Sequence, residues 1–237
     1  MKERHDTVYI ISELSPQYDG SFEMLKTMSL QSKIGGADAV KVQLYNSLKL
    51  HGNNEKSFME INFNELKELK TYCDSISIAL IASVFDEERL QWCEELDFKK
   101  YKVASRTVQD KVLCNKIFNT KKQVFMSLGM VDWKNLGLPY KYSNLIYFDC
   151  IAQYPTLYSD LKIADFRKNK LLGFSDHTIG ISACLYAVSK GAKILEKHFS
   201  NSKAMNVETQ QGHTGSMNMN DLFMIRELSD NLRLSIS

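Results

Sequence analysis

Short apolar runs alternate with stretches whose apolar residues recur at helical spacing, and the alternation continues from one end of the chain to the other. Runs at 8–14, 39–45, 78–84, 100–105, 123–128, 145–151, 171–175 and 193–199 read as strands, several apolar enough to be buried on both faces. Helices are predicted between them. The first covers 21–34, where Leu25, Met28, Leu30 and Ile34 share an imperfect apolar face ahead of Gly35-Gly36. Others fall at 63–73, at 86–96, where Asp86-Glu-Glu suits the positive end of a helix, and at 110–119, 158–167 and 181–189. A closing helix is predicted from Asn220, as its cap, to Leu232. The stretch 131–143 contains Gly137 and Pro139 and allows one or two helical turns at most. The polar loop 46–61 is long for a compact fold, which predicts a functional or mobile segment and an internal lid.

Strands that alternate with helices imply βαβ units and a parallel sheet. Eight such strands close naturally into an α/β (β/α)8 TIM barrel, here a single domain over residues 1–237. An open nucleotide-binding sheet is not supported. Its first turn would be glycine-rich, whereas Ser15-Pro-Gln-Tyr-Asp-Gly20 carries neither GxGxxG nor a P-loop.

Composition narrows the chemistry. With 44% hydrophobic residues in 237, the chain can fill a sizeable core. Lys plus Arg total 30 against 28 Asp plus Glu, a net charge of +2 with no long block of either sign, so nucleic-acid binding has no electrostatic support. An anionic substrate must be met locally, and Lys41, Lys102 and Lys197 are the candidates. The five cysteines are scattered with no CxxC pair and read as reduced thiols of a cytoplasmic protein. The apolar run 8–11 is too short for a signal peptide or a membrane span.

Polar residues gather at the C-terminal strand ends, where barrels carry their catalytic groups. They are Glu13, Lys41 with Gln43, Ser83 with Asp86, Lys102 with Ser105, Ser127, Asp149 with Tyr154, Ser175 to His177, and Glu196 to His198. Two neutral imidazoles, His177 and His198, suit one divalent cation; the alternative is that each is a hydrogen-bonded core or rim residue. Lysines and hydroxyls at one mouth suit a phosphate and a carboxylate, or structural pairing with Glu13 or Glu196.

The chain resembles the sialic acid synthases, phosphoenolpyruvate-dependent enzymes that make nine-carbon 2-keto acids. The matching motifs are Ser12-Glu13 with Gly20, Gly36-Ala-Asp-Ala-Val-Lys-Val-Gln43, Ser83-Val-Phe-Asp86, Tyr101-Lys-Val-Ala-Ser105, Ser127-Leu-Gly-Met130, Tyr154-Pro-Thr156, Phe174-Ser-Asp-His-Thr-Ile-Gly180 and Gly191-Ala-Lys-Ile-Leu-Glu-Lys-His-Phe199. The resemblance implies a TIM barrel that joins phosphoenolpyruvate to an aldehyde sugar acceptor and releases phosphate, giving a 2-keto-3-deoxy sugar acid. It implies His177 and His198 as ligands of Mn2+, with Mg2+ as the alternative. It implies Lys41, Ser83, Lys102, Ser105, Ser127 and Ser175 as phosphoenolpyruvate contacts, and Glu13, Tyr154 and Glu196 as catalytic groups.

Several positions depart from the family pattern. Gln17-Tyr18 stand where Asn-His is usual, Ala152 replaces a polar residue near phosphoenolpyruvate, and Gly212 replaces an acidic residue that grips the acceptor. The antifreeze-like lid domain that usually follows the barrel does not occur in these 237 residues. Together these predict a condensing enzyme with an altered acceptor, completed by a separate lid protein and pairing as a homodimer. A non-catalytic barrel that keeps the ligand site is the alternative. A sugar-phosphate acceptor would need an extra basic cluster, for which Arg106 and Lys203 are the candidate members.

Overall fold

The computed structural model describes residues 7–203 and 214–236. Eight strands close into one parallel barrel in sequence order: β1 (Tyr9–Glu13), β2 (Ala39–Leu44), β3 (Ala79–Val84), β4 (Lys100–Val103), β5 (Gln123–Ser127), β6 (Leu145–Cys150), β7 (Leu171–Asp176) and β8 (Ile194–His198). Around them run α1 (Phe22–Ile34), α2 (Ser47–His51), α3 (Phe63–Ser75), α4 (Glu87–Glu95), α5 (Lys111–Asn119), α6 (Trp133–Leu136), α7 (Ser182–Ser189) and α8 (Met219–Ile236). All eight predicted strands are present within a residue or two of their expected bounds.

Side chains alternate across each strand, so one parity faces the barrel axis and the other faces the helices. The inward set is layered. Ile11, Ala39, Ile81, Phe125, Phe148 and Ile194 form a closed apolar plug low in the barrel. Gly173 leaves room for Phe148, since a Cβ there would fall 2.4 Å from its ring. One step of two residues higher on the same strands come Glu13, Lys41, Ser83, Ser127, Cys150 and Glu196, all buried. The outward set, including Ile10, Val40, Leu80, Tyr101, Val124, Phe174 and Leu195, belongs to the larger core beneath the helices. The plug thus makes a dry floor, and the next layer up must be polar only because it opens toward the loops.

Local chemistry sets the helix starts. Ser21, Asn62, Asp86 and Asp110 cap α1, α3, α4 and α5 by accepting from a backbone N–H three residues on. Asp86, one of the polar residues at the strand ends, thus serves as the cap of α4. The cap of α8 is Asn218 rather than the predicted Asn220: Asn218 Oδ1 accepts from Asp221 N at 3.0 Å while Asp221 Oδ2 accepts from Asn218 N at 3.1 Å.

The helix predicted at 158–167 does not form beyond a single 3₁₀ turn, Tyr158–Asp160. Tertiary bonds take its backbone instead: Asp149 Oδ2 accepts from Ala164 N at 2.7 Å, Lys190 Nζ donates to Ile163 O at 2.9 Å, and Ile163 and Phe166 are buried. The loop 46–61 is largely built. It contains α2 and a 3₁₀ turn, Ser57–Met59, and is tied down by Tyr18 Oη on Met59 O and by Ser47 N on Glu60 Oε1 at 2.6 Å.

Candidate active site

The strand register puts Glu13 of β1 beside Lys41 of β2 on one side and His198 of β8 on the other. Ser83 lies beside Lys102, and Ser175 beside both Cys150 and Glu196. Long side chains of the same parity then meet across the mouth.

They meet as an alternating ladder of charges. Lys41 Nζ lies 2.5 Å from Glu13 Oε2 and 2.7 Å from Glu196 Oε1. Lys102 Nζ lies 3.0 Å from Glu196 Oε2. Lys102 donates to Ser127 Oγ at 2.6 Å and Lys41 to Ser83 Oγ at 3.3 Å. Glu13 Oε1 accepts from Ser15 N at 2.7 Å. Burial opposes every charge in the ladder, but the partners decide which ones persist. For Glu196, burial raises the carboxyl, yet Lys102 and Lys41 outweigh it and hold it down at about 2. Burial pulls Lys41 down, but Glu13 and Glu196 keep its ammonium above the ordinary range. Lys102 has one carboxylate only, and burial leaves it lowered. Burial also raises Glu13, with Lys41 opposing and Glu196 reinforcing the rise. Glu13 Oε2 and Glu196 Oε2 meet their lysines by charge, without an aligned hydrogen bond. Each keeps a lone pair for a further donor.

On the β6–β8 side stand the two histidines. Their ring centroids are 5.8 Å apart, and the Tyr154 ring lies 4.0 Å from His177 and 5.9 Å from His198. His177 Nδ1 lies 2.7 Å from Ile151 O and so donates to it, leaving Nε2 as the free lone pair. Burial pushes the His177 pKa down to about 4, keeping the ring neutral, the state a metal ligand needs. His198 Nδ1 lies 3.4 Å from Gln17 Oε1, and Gln17 is itself held by Ser216 Oγ at 2.8 Å. The neutral His177 ring beside His198, each with a carbonyl oxygen near Nδ1, fits a divalent cation. Among the described residues no group of three or more His, Cys, Asp and Glu is arranged to hold a metal ion.

The sequence-predicted residues therefore fall into one mouth. Lys41, Lys102, Glu13, Glu196, Ser83 and Ser127 form the ladder. Ser105, whose Oγ accepts from Gly129 N at 3.0 Å, and Ser175 lie beside it around Cys150. Tyr154 is half exposed at 49% and roofs the histidines. Lys197 does not join them. Its parity is outward, and it binds Asp176 Oδ2 and Thr178 O, each at 2.7 Å, behind the sheet. Cys150 was not singled out by its sequence, yet it touches Ser105 and His177, each at 3.9 Å. Its inward parity, two residues beyond Phe148, is the signal that marks it. Burial lifts its thiol to about 11, which keeps it protonated. The segment with Gly212 lies outside the described residues.

Comparison with known proteins agrees with this geometry. A pseudaminic acid synthase of Campylobacter jejuni is 28% identical over 231 residues, 85% of this chain and 67% of that protein. An uncharacterized protein of Methanocaldococcus jannaschii is 29% identical over 216 residues, 84% of this chain and 64% of its own length. The chain thus spans about two thirds of these relatives. An N-acetylneuraminic acid synthetase from Leptospira borgpetersenii shares the fold, with a TM-score of 0.86 over 98% of this chain and 85% of that one at 24% identity. The relatives with named activities are sugar-acid synthases: pseudaminic acid, N,N'-diacetyllegionaminic acid and N-acetylneuraminate-9-phosphate synthases. The NeuB family pattern matches residues 30–236, from within α1 through every strand after β1 to the last helix, and the chain belongs to the NeuB family.

Proposed function

We propose that this barrel condenses phosphoenolpyruvate with an aldehyde sugar acceptor to give a 2-keto-3-deoxy sugar acid and inorganic phosphate. The observation that carries this reading is the buried Glu13–Lys41–Glu196–Lys102 ladder beside two histidines. Two buried ammonium groups matched by two carboxylates form a neutral cradle. Such a cradle is costly to maintain without a ligand that uses the lysines. Lys41 and Lys102 bind the phosphate and carboxylate of phosphoenolpyruvate. Ser83 and Ser127, already bonded to those lysines, and Ser105 and Ser175 supply hydroxyl donors around the same anion.

In the reaction C3 of phosphoenolpyruvate forms a bond to the acceptor's carbonyl carbon, and the carbonyl oxygen gains a proton. Water adds at C2 and loses a proton. The C2–O bond to phosphate then breaks as the new C2 hydroxyl gives its proton to the departing phosphate, which keeps the bridging oxygen and leaves the 2-keto group. The buried lone pair on Glu13 takes the proton from water. Glu196 orders both lysines, and Tyr154 packs over the acceptor's end of the cleft. His177 and His198 would hold a divalent cation, Mn2+ before Mg2+, since Mg2+ favours oxygen donors. When bound, the cation supplies Lewis-acid polarisation of the aldehyde oxygen. An antifreeze-like lid of the kind the resemblance implies would cover exposed Tyr154, Leu157 and Ile179.

The test is incubation with Mn2+, phosphoenolpyruvate labelled at its bridging oxygen, and a panel of aldehyde sugars. The expected result is acceptor-dependent release of labelled phosphate. No release with any acceptor, alone or with an added lid protein, opposes the proposal. Binding of phosphoenolpyruvate without turnover would favour the non-catalytic alternative.

A further inference from the structure

Beside the ladder lies a cleft of about 160 Å3, walled by Ser15, Gln43, Tyr45, His51, Lys56 and Arg106 among others. It adjoins the candidate active site through Ser15, whose N–H donates to Glu13 Oε1 at 2.7 Å. Ser15 follows Glu13 by two residues and Gln43 follows Lys41 by two, and Ser15 Oγ accepts from Gln43 N at 3.1 Å. Arg106 is next to Ser105. The opposite wall is the built loop after β2, which brings His51 from the end of α2 and Lys56 from the turn before the 3₁₀ helix.

The lining of this cleft includes no Asp or Glu. Among the described residues Arg106 and Lys56 make no ion pair, whereas Arg89, Lys116 and Lys203 each do. Glu60, the carboxylate that reaches toward Tyr45, is already engaged by Ser47 N at 2.6 Å and faces Arg89 at 3.8 Å. Burial, then the positive charges of Lys56 and Arg106, push His51 below its ordinary range, so both charges are felt at one point. The Tyr45 ring packs edge-on to His51 with centroids 5.5 Å apart, and Tyr45 Oη donates to Lys56 O at 3.4 Å, which fixes the wall. The basic cluster that the sequence left incomplete is thus present with different members. Lys203 is taken by Asp221 at 2.8 Å, and Arg106 is joined by Lys56 and His51 instead.

Unpaired cations gathered in a concave site beside a reaction centre attract an anion. At about 160 Å3 the cleft has room for a tetrahedral anion. We propose that this cleft is a subsite for an anionic group, a phosphate ester before a carboxylate, at the end of the acceptor remote from its aldehyde, with Arg106 and Lys56 as its specificity-determining residues. The inference rests on the condensation reading above and adds the acceptor's class: a terminally phosphorylated or otherwise anionic aldose.

Two measurements test it, on wild type and on Arg106→Ala/Lys56→Ala. Both residues are exposed, so the variant is expected to keep its unfolding temperature. The first is kcat/KM with phosphoenolpyruvate, Mn2+ and three acceptors: an N-acetylated hexose, the same sugar with a terminal phosphate, and a hexuronic acid. Wild type is expected to prefer the phosphorylated sugar by roughly 10- to 100-fold, as charge-assisted contacts allow, with the uronic acid between. In the variant that ratio is expected to collapse toward one. A uronic acid preferred over the phosphate assigns the cleft to carboxylates and overturns the ranking. Equal use of neutral and phosphorylated sugars by wild type overturns the proposal, as does a variant whose defect is a raised KM for phosphoenolpyruvate alone. The second is calorimetric titration with the terminally phosphorylated hexose. Binding that is lost in the variant supports the subsite even where no acceptor releases phosphate, which separates failure of the subsite from failure of the condensation reading. Equal affinity in both proteins overturns it.

Discussion

At the residue scale the ladder is not symmetrical, and its asymmetry can be measured. Lys41 separates two buried carboxylates, whereas Lys102 neighbours one. Lys41→Met leaves Glu13 and Glu196 facing each other without their shared cation, and breaking a buried pair in this way costs roughly 3–5 kcal/mol. Lys102→Met leaves Glu196 still paired with Lys41. Thermal unfolding is therefore expected to place Lys41→Met well below Lys102→Met, with phosphoenolpyruvate binding lost in both. Equal unfolding temperatures would contradict the pairing. The glutamates differ in the same sense. Glu196→Gln strips a partner from both lysines, while Glu13→Gln strips one from Lys41 alone, so Glu196→Gln is expected to be the less stable. The pH dependence follows by linkage. The folded-state value of Glu196 is depressed from 4.5 to about 2, so the stability it contributes is present above about 4.5 and is lost as pH falls toward 2. Glu13 shifts the opposite way and gives no such acid loss. Acid unfolding of Glu196→Gln is expected to be flatter over that window than that of wild type; an unchanged slope would remove Glu196 as the anchor.

At the scale of elements, parity explains both what the sequence revealed and what it hid. The eight apolar runs, their polar C-terminal ends and the stops at Gly35-Gly36 and Gly191 were readable because strand period and helix breakers are local properties. Two positions show the limit. Lys197 looked like one more cation at the mouth, but it stands one residue from Glu196 and so faces the helices; pairing with Asp176 hides it there. The segment 158–167 has helical spacing, yet Asp149, Lys190 and the burial of Ile163 and Phe166 override it, and such long-range partners leave no local trace. The Lys197–Asp176 pair sits next to His177 and ties the chain beyond it through Thr178 O. Lys197→Met is expected to weaken Mn2+ binding by about 10-fold or more, the usual scale for a supporting contact behind a metal ligand. Titration of Mn2+ checks this, and unchanged affinity would make Lys197 purely structural.

On the scale of the whole molecule, the barrel divides into a dry floor, a charged mouth and a basic side cleft. The floor of Ile11, Ala39, Ile81, Phe125, Phe148 and Ile194 excludes water from below, and this strengthens each ion pair above it. Among the described residues no helix is long and apolar enough to cross a membrane. The near-neutral net charge of +2 hides a strong local arrangement. Composition could not show that Lys41 and Lys102 are neutralised in place while Lys56 and Arg106 are not, because that depends on which carboxylates the fold brings within reach. The sequence motifs named the ladder's members, but only the closed barrel shows Glu196 serving both lysines.

The central claim is that the charged mouth binds phosphoenolpyruvate and that the paired histidines bind the metal beside it. Calorimetric titration of phosphoenolpyruvate into metal-free protein, repeated with Mn2+, on wild type and on His177→Ala/His198→Ala, tests it most directly. The expected result is binding by wild type with an added Mn2+-dependent heat, and loss of that added heat alone in the double variant. Absence of phosphoenolpyruvate binding by wild type, with or without Mn2+, would contradict the account.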